Sequence, residues 1–166
     1  MDEKNTALDI LKTAILLERR GKAFYTQAAR NSQSKSARKI FETMAEEEDE
    51  HIAFLTEQAR NYVNNKQFVH PEPHEEDHSE DEILTEQIKK EIDAASYEAA
   101  AISAAIDFEN RAIEVYSSRA KEATDPVEKE VYQMLAEWEQ GHHHLLHRLN
   151  EDLKEEIWND NNFWPF

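Results

Sequence analysis

The sequence predicts an all-α protein: a four-helix bundle made of one helical hairpin used twice, the two copies joined by a long crossover. Three observations predict it. Residues 18–51 are echoed 91 residues later, so that Glu18, Tyr25, Glu48 and His51 return as Glu109, Tyr116, Glu139 and His142. Ala14-Ile15, Arg20, Ala45-Glu46 and Leu55 return as Ala105-Ile106, Arg111, Ala136-Glu137 and Leu146, and a period that long is too large for a solenoid. Two glycines and four prolines in 166 residues, with Ala, Glu, Lys, Gln and Leu abundant, suit long helices better than short strands. Apolar residues recur at alternating steps of three and four, the spacing of a helix face.

The elements follow in order. Helix one opens near Thr6, where Thr6 and Asp9 form a capping pair, and runs to about Arg30. Residues 31–34 are a loop, and Ser34 caps a second helix over 35–62. The repeat supports that boundary independently: the echo of Ser34 is Asp125, followed by Pro126 at the first helical position and Glu128 at the third, which starts a helix over 126–154. Between the hairpins, NNKQFVHPEPHEEDHSEDE carries two prolines and dense charge and reads as an exposed crossover. Ser79 and Glu82 are set to cap a short helix over 80–92, ahead of a long helix over 94–122. The chain is thus read as a single domain, with hairpin one at 6–62, the crossover at 63–93, hairpin two at 94–154 and a tail at 155–166. The aromatic end of that tail, NDNNFWPF, is too short to fold alone and is expected to pack on the bundle or on a partner subunit.

A formal charge of −17 repels nucleic acid and anionic membrane and concentrates cations near the surface. With no cysteine, disulfides, thiolate zinc sites and cysteine-ligated iron centres are excluded. No apolar run approaches the length of a membrane span, and the start lacks the basic and apolar segments of a signal peptide. The expected compartment is the cytoplasm.

The chemistry lies in what interrupts the apolar stripes. Helix one reads Leu8, Leu11, Ile15, Glu18, Lys22, Tyr25, Ala29; helix two reads Ala37, Phe41, Met44, Glu48, His51, Leu55. The second hairpin reads Ile102, Ile106, Glu109, Ile113, Tyr116 and then Tyr132, Leu135, Glu139, His142, Leu146. Each Glu, or Glu-x-x-His pair, stands on a face otherwise built for burial, whereas Glu46, Glu47, Asp49 and Glu50 fall off it and read as solvated. Four carboxylates buried together cost several kcal/mol per uncompensated ion, and two divalent cations cancel their charge. Residues i and i+3 share a helix face, so each pair aims one oxygen and one imidazole nitrogen the same way. Carboxylate oxygens with one imidazole per metal suit two iron ions, or manganese, with zinc possible on ligand type.

Single Glu-x-x-His pairs arise by chance in a chain this rich in Glu, and Glu75/His78 in the polar crossover is read as one such. Tyr25 and Tyr116 are either core filler whose hydroxyl needs one partner or groups orienting a ligating carboxylate. Of His142, His143, His144 and His147, only His142 lies on the stripe. His70, His74 and His78 read as part of a solvated acidic loop.

The segments ERRGKAFY (18–25), MAEEEDEH (44–51), ENRAIEVY (109–116) and LAEWEQGH (135–142) resemble the ferritin-like superfamily, and most of all the helical domain of rubrerythrin, over residues 6–154. That resemblance implies a ferritin-like bundle in which Glu48 and Glu139 bridge two metals, Glu18 and His51 complete one shell, and Glu109 and His142 the other. It differs at two positions. Ala112 stands where rubrerythrins typically carry a further Glu, and His142 where they often carry Glu, so the set is more symmetric and closer to the bacterioferritin pattern. The resemblance implies a di-iron oxidoreductase that reduces hydrogen peroxide or dioxygen at a diferrous, carboxylate-bridged site, its electrons coming from a separate donor protein. The alternatives are a ferroxidase that feeds iron storage and a non-catalytic, metal-stabilised bundle. A homodimer or small homo-oligomer is expected.

Overall fold

The computed structural model describes residues 6–93 and 96–159, and every secondary-structure element among them is an α-helix. In chain order these are α1 (Ala7–Asn31), α2 (Lys35–Asn65), α3 (Asp81–Glu91), α4 (Tyr97–Glu122) and α5 (Pro126–Asn159). Local chemistry sets most boundaries. Thr6 and Asp9 form both halves of a capping box, at 3.2 Å and 3.3 Å, and Ser34 Oγ accepts from the Ala37 N–H at 3.0 Å. Asp125 accepts from Val127 N–H at 2.9 Å just ahead of Pro126, the first residue of α5. These are the orphan donors that helix starts must satisfy.

Several expectations shift, among them the end of α2, at Asn65 and not 62. α4 starts at Tyr97, where Ser96 accepts from Ala99 N–H at 3.2 Å; residues 94 and 95 of the predicted helix lie outside the described residues. The Ser79–Glu82 capping pair does not form. Ser79 N–H is taken by Asp77 Oδ1 at 2.9 Å, a local turn that competes with the cap, and α3 begins after Glu80 with no side-chain cap. α5 continues to Asn159, beyond the predicted end at 154. Residues 160–166 of the aromatic tail lie outside the described residues.

α1 packs along α2 and α4 along α5, each pair joined by a short loop, while α3 lies against α2 and α5. Glu98, at the start of α4, accepts from the Gln33 and Ser34 N–H groups at 2.6 and 3.1 Å. The starts of α4 and α2 are therefore at the same end of the bundle, and the crossover must travel its whole length. It is pinned as it goes. Gln58 exchanges two bonds with the Val69 backbone, at 2.8 and 2.9 Å; Glu76 meets His51; and Glu91 accepts from Ser34 and Ser36 at the far end. The segment read as an exposed crossover is exposed along most of its length, yet it is fastened as a strap to α2 and α5.

The interior has two apolar clusters with the carboxylates between them. One centres on Tyr25, Phe41, Met44, Ile102 and Leu146, the other on Leu11, Leu55, Tyr116, Tyr132 and Leu135. Burial of each such side chain contributes about 1.5–3 kcal/mol, which offsets the polar layer they enclose. No helix among the described residues is long and apolar enough to cross a membrane.

Candidate metal centre

The six side chains singled out by the repeat converge at mid-bundle. Glu18, Glu48, His51, Glu109, Glu139 and His142 are each at most 1% exposed. They form two groups of four, Glu18/Glu48/His51/Glu139 and Glu48/Glu109/Glu139/His142, and within each group one ligand-type atom per residue lies within 4.8 Å of the rest. Glu48 and Glu139 belong to both. His51 Nδ1 is 3.1 Å from Glu18, 3.4 Å from Glu48 and 3.0 Å from Glu139. His142 Nδ1 is 3.4 Å from Glu109, 3.5 Å from Glu139 and 3.7 Å from Glu48. Both rings thus turn the same nitrogen toward the shared carboxylates.

The outer nitrogens are held from behind. His51 Nε2 contacts Glu76 Oε1 at 2.9 Å, and His142 Nε2 contacts Glu47 Oε2 at 2.7 Å. A carboxylate there keeps the ring proton on Nε2 and leaves the Nδ1 lone pair free for a cation. Both carboxylates correct the sequence reading. Glu47 is buried rather than solvated, because the start of α3 closes over the side of α2 that the two-helix stripe leaves open: Glu47 shares a small pocket with His78, Asp81 and Leu84. Glu76 comes from the crossover, and its side chain is 4% exposed. The sequence does carry a signal for it. The echo of Glu47 is Trp138, which stacks on His51 with ring centroids 4.7 Å apart. The repeat therefore lacks an acceptor for His51, and Glu76 supplies it.

The tyrosines exchange partners. Tyr25 donates to Glu109 and Tyr116 donates to Glu18, so each hairpin's phenol holds the other hairpin's glutamate. Each phenol is packed in an apolar cluster and also holds a carboxylate. Burial and the neighbouring Glu109 and Glu18 raise the two phenols well above their ordinary range, so they act as neutral donors.

Nearby small residues leave room. A Cβ on Gly21 would lie 3.1 Å from Glu48 Oε1 and 2.9 Å from the Phe108 ring. Ala112, its echo, is buried against the second apolar cluster. Of the remaining histidines, His70 and His74 are exposed and pair with Glu130 and Glu50, each at 2.9 Å. His78 meets Asp81 at 2.9 Å and Glu76 at 3.5 Å, while Glu75 stays exposed.

Electrostatics test whether a metal fits. Burial raises Glu48 well above the ordinary carboxylate range, and Glu139 adds to the effect. Burial with Glu139 beside it takes Glu109 to about 8. Burial opposes charge on His51 and His142, yet the carboxylates around each hold both well above the ordinary value. Burial acts to raise Glu139 too, but His142 and His51 hold it well below the usual range. Among the described residues, both oxygens of Glu48, both of Glu139, Glu109 Oε2 and His142 Nδ1 are buried without a hydrogen-bond partner. So many converging ligand-type atoms left without a partner is an arrangement that cations, displacing the protons, complete. The donor set of oxygens with one imidazole nitrogen per group fits iron or manganese and offers nothing soft.

The family model described as rubrerythrin matches residues 9–156 of the chain. A solved structure of a hypothetical protein from Pyrococcus furiosus superposes with a TM-score of 0.58 at 20% identity, over 93% of this chain and 94% of that one. At that identity the likeness is one of fold. No curated protein matches the chain.

Proposed function

The chain belongs to the rubrerythrin family of ferritin-like di-iron proteins, and from that premise we propose that it is a non-haem di-iron oxidoreductase reducing hydrogen peroxide or dioxygen. The observation carrying this reading is the pair of buried groups that share Glu48 and Glu139, whose oxygens accept no hydrogen bond among the described residues. Glu18 and His51 would hold one iron, Glu109 and His142 the other, with Glu48 and Glu139 common to both. Two irons so held supply a two-electron store and Lewis acidity.

The protein's own part is positional. Glu109 gives one oxygen to the Tyr25 hydroxyl and its other oxygen has no hydrogen-bond partner among the described residues; Glu18 gives one to Tyr116 and turns the other toward His51. Glu47 and Glu76 fix the tautomers of the two histidines. Trp138 covers the outer face of His51 and is itself tied to the crossover through its indole N–H on the His74 carbonyl, at 3.3 Å. We assign the supply of electrons to a separate donor protein and the reaction to the cytoplasm.

Anaerobic reconstitution with ferrous iron, followed by stopped-flow oxidation with hydrogen peroxide and separately with dioxygen, tests the reading. Two irons per chain, rapid oxidation and turnover with added reductant are expected. Iron accumulating far beyond two per chain under dioxygen would replace it with a ferroxidase. Two bound metals inert to both oxidants would leave a structural site.

A further inference from the structure

The two buried imidazoles lie between two layers of carboxylates. His51 and His142 stack with ring centroids 5.6 Å apart, and their Nδ1 atoms face the inner glutamates at 3.0 to 3.7 Å. Their Nε2 atoms face outward. Glu76 reaches both, with Oε1 2.9 Å from His51 and Oε2 3.7 Å from His142, and Glu47 Oε2 stands 2.7 Å from His142. The outer carboxylates fix the tautomer that inner ions need. Acceptors stand at the inner nitrogens as well, so the opposite tautomer is equally supported once an ion lies outside.

The outer side has the makings of a site of its own. His51, Glu76 and His142 each offer a ligand-type atom within 4.8 Å of the others. Ligands held about 2.0–2.1 Å from a tetrahedral ion stand about 3.3 Å from one another, and the outer contacts run from 2.7 to 3.7 Å. Glu47 and Glu76 match the charge of one divalent ion, which offsets its burial. A way in exists. His142 and Glu47 share a pocket of about 10 Å³ with His78 and Asp81, room for about one water-sized guest. His78 and Asp81 are partly exposed, and His78 forms a further group of ligand-type atoms with Glu47 and Glu76.

We propose that the outer nitrogens of His51 and His142, with Glu76 and Glu47, form a mononuclear zinc site whose occupation excludes the di-metal centre. Inside, each ion meets one imidazole among several carboxylates. Outside, a single ion meets two imidazoles and two carboxylates, the ligand number and type that zinc takes in tetrahedral sites. An ion there uses the Nε2 lone pairs, so the ring proton that each histidine keeps sits on Nδ1 and donates to the inner glutamates. Both inner positions then lose their only nitrogen ligand, and zinc keeps the redox metal out. The exclusion rests on the inner centre as assigned above. The outer site does not, and it is read without iron or oxidant.

The test is zinc titration of the metal-free full chain labelled with nitrogen-15 histidine. Long-range proton–nitrogen correlations tell a metal-bound ring nitrogen from a protonated one. At one equivalent, Nε2 of both His51 and His142 should become the bound nitrogen and Nδ1 the protonated one. Coordination through Nδ1 would overturn the proposal, as would zinc settling on the stacked pair His143 and His147. Glu76→Ala should weaken zinc at least roughly tenfold, the lower bound for losing a carboxylate that supports a metal. Glu48→Gln, which removes a shared inner carboxylate, should retain Nε2 coordination. Unchanged zinc affinity in Glu76→Ala, or loss of zinc in Glu48→Gln, would place the ion elsewhere and end the proposal. Zinc added to the cobalt(II)-loaded protein should release both cobalt ions for one zinc bound in their place. Two zinc ions in their place, or zinc and cobalt bound together, would overturn the exclusion.

Discussion

Replacing Glu76 by alanine removes one carboxylate from the crossover and should split the two metal positions in affinity. His51 Nδ1 faces Glu18, Glu48 and Glu139, so a cation there requires the ring proton on Nε2, 2.9 Å from Glu76. Without Glu76 that N–H loses its charged acceptor. Losing a hydrogen bond to a charged group costs about 1.5–3 kcal/mol, or roughly ten- to hundredfold in affinity. An opposing effect must be counted. Glu76 also helps keep His51 protonated in the metal-free protein, and a cation has to displace that proton. The offset grows as the pH falls, so the loss should be largest in mildly alkaline buffer. His142 keeps Glu47 at 2.7 Å and lies further from Glu76, at 3.7 Å, so its side of the centre should be weakened much less. Anaerobic titration with cobalt(II) against a competing chelator reads both sites through their visible absorption. The expected result is two tight ions in the parent, but one tight and one weakened ion in Glu76→Ala. Glu75→Ala, the same charge change at an exposed neighbour, should retain both. Two ions of parental affinity in Glu76→Ala would refute the reasoning, and equal weakening in Glu75→Ala would reduce it to bulk charge.

The remaining expectations concern the ligands and the frame around them. Glu48→Ala or Glu139→Ala should abolish binding of at least one metal, read by elemental analysis after dialysis; full retention of two would dismiss these residues as shared ligands. Metal binding at pH 7 should release protons. Glu109, at about 8, and the raised Glu48, His51 and His142 all hold protons that coordination displaces, so affinity falls as the pH is lowered. Calorimetry in buffers of differing ionisation heat measures this, and zero net release would contradict the assigned protonation. Glu98→Ala strips the acceptor from two backbone donors at the start of α2 and should lower stability by about 1.5–3 kcal/mol in urea denaturation. A loss below about 0.5 kcal/mol, the range of neutral surface changes, would show that water replaces the carboxylate.

The helices were legible because their ends are written in local chemistry, as at Thr6/Asp9, Ser34 and Asp125-Pro126. The convergence of six side chains was legible because a repeat places Glu18, Glu48 and His51 and their echoes on buried faces twice over. Three things were not. Glu47 lies off the stripe of its own helix, and only α3, a third neighbour, covers it. Glu76 has no echo within the chain and sits in a segment whose composition suggests solvent. The tyrosine pairing is invisible because spacing along one helix says nothing about which hairpin stands opposite. What the sequence did hold was the mismatch of Glu47 with Trp138, which marks where symmetry fails and an acceptor must come from elsewhere.

The exchanged tyrosine bonds have an evolutionary consequence. Shifted by the repeat, Tyr25 on Glu109 and Tyr116 on Glu18 become one and the same contact, made in both directions. That reciprocity is the signature of a two-fold dimer, in which residue i meets j and j meets i. A single hairpin associating with its own copy would make both bonds by symmetry, and duplication with fusion would then fix the pair in one polypeptide. After fusion the halves are free to diverge wherever the contact is not reciprocal, as Phe41 and Tyr132 have. At the four residues that form the reciprocal bonds, a change in either half is felt as an unsatisfied group in the other.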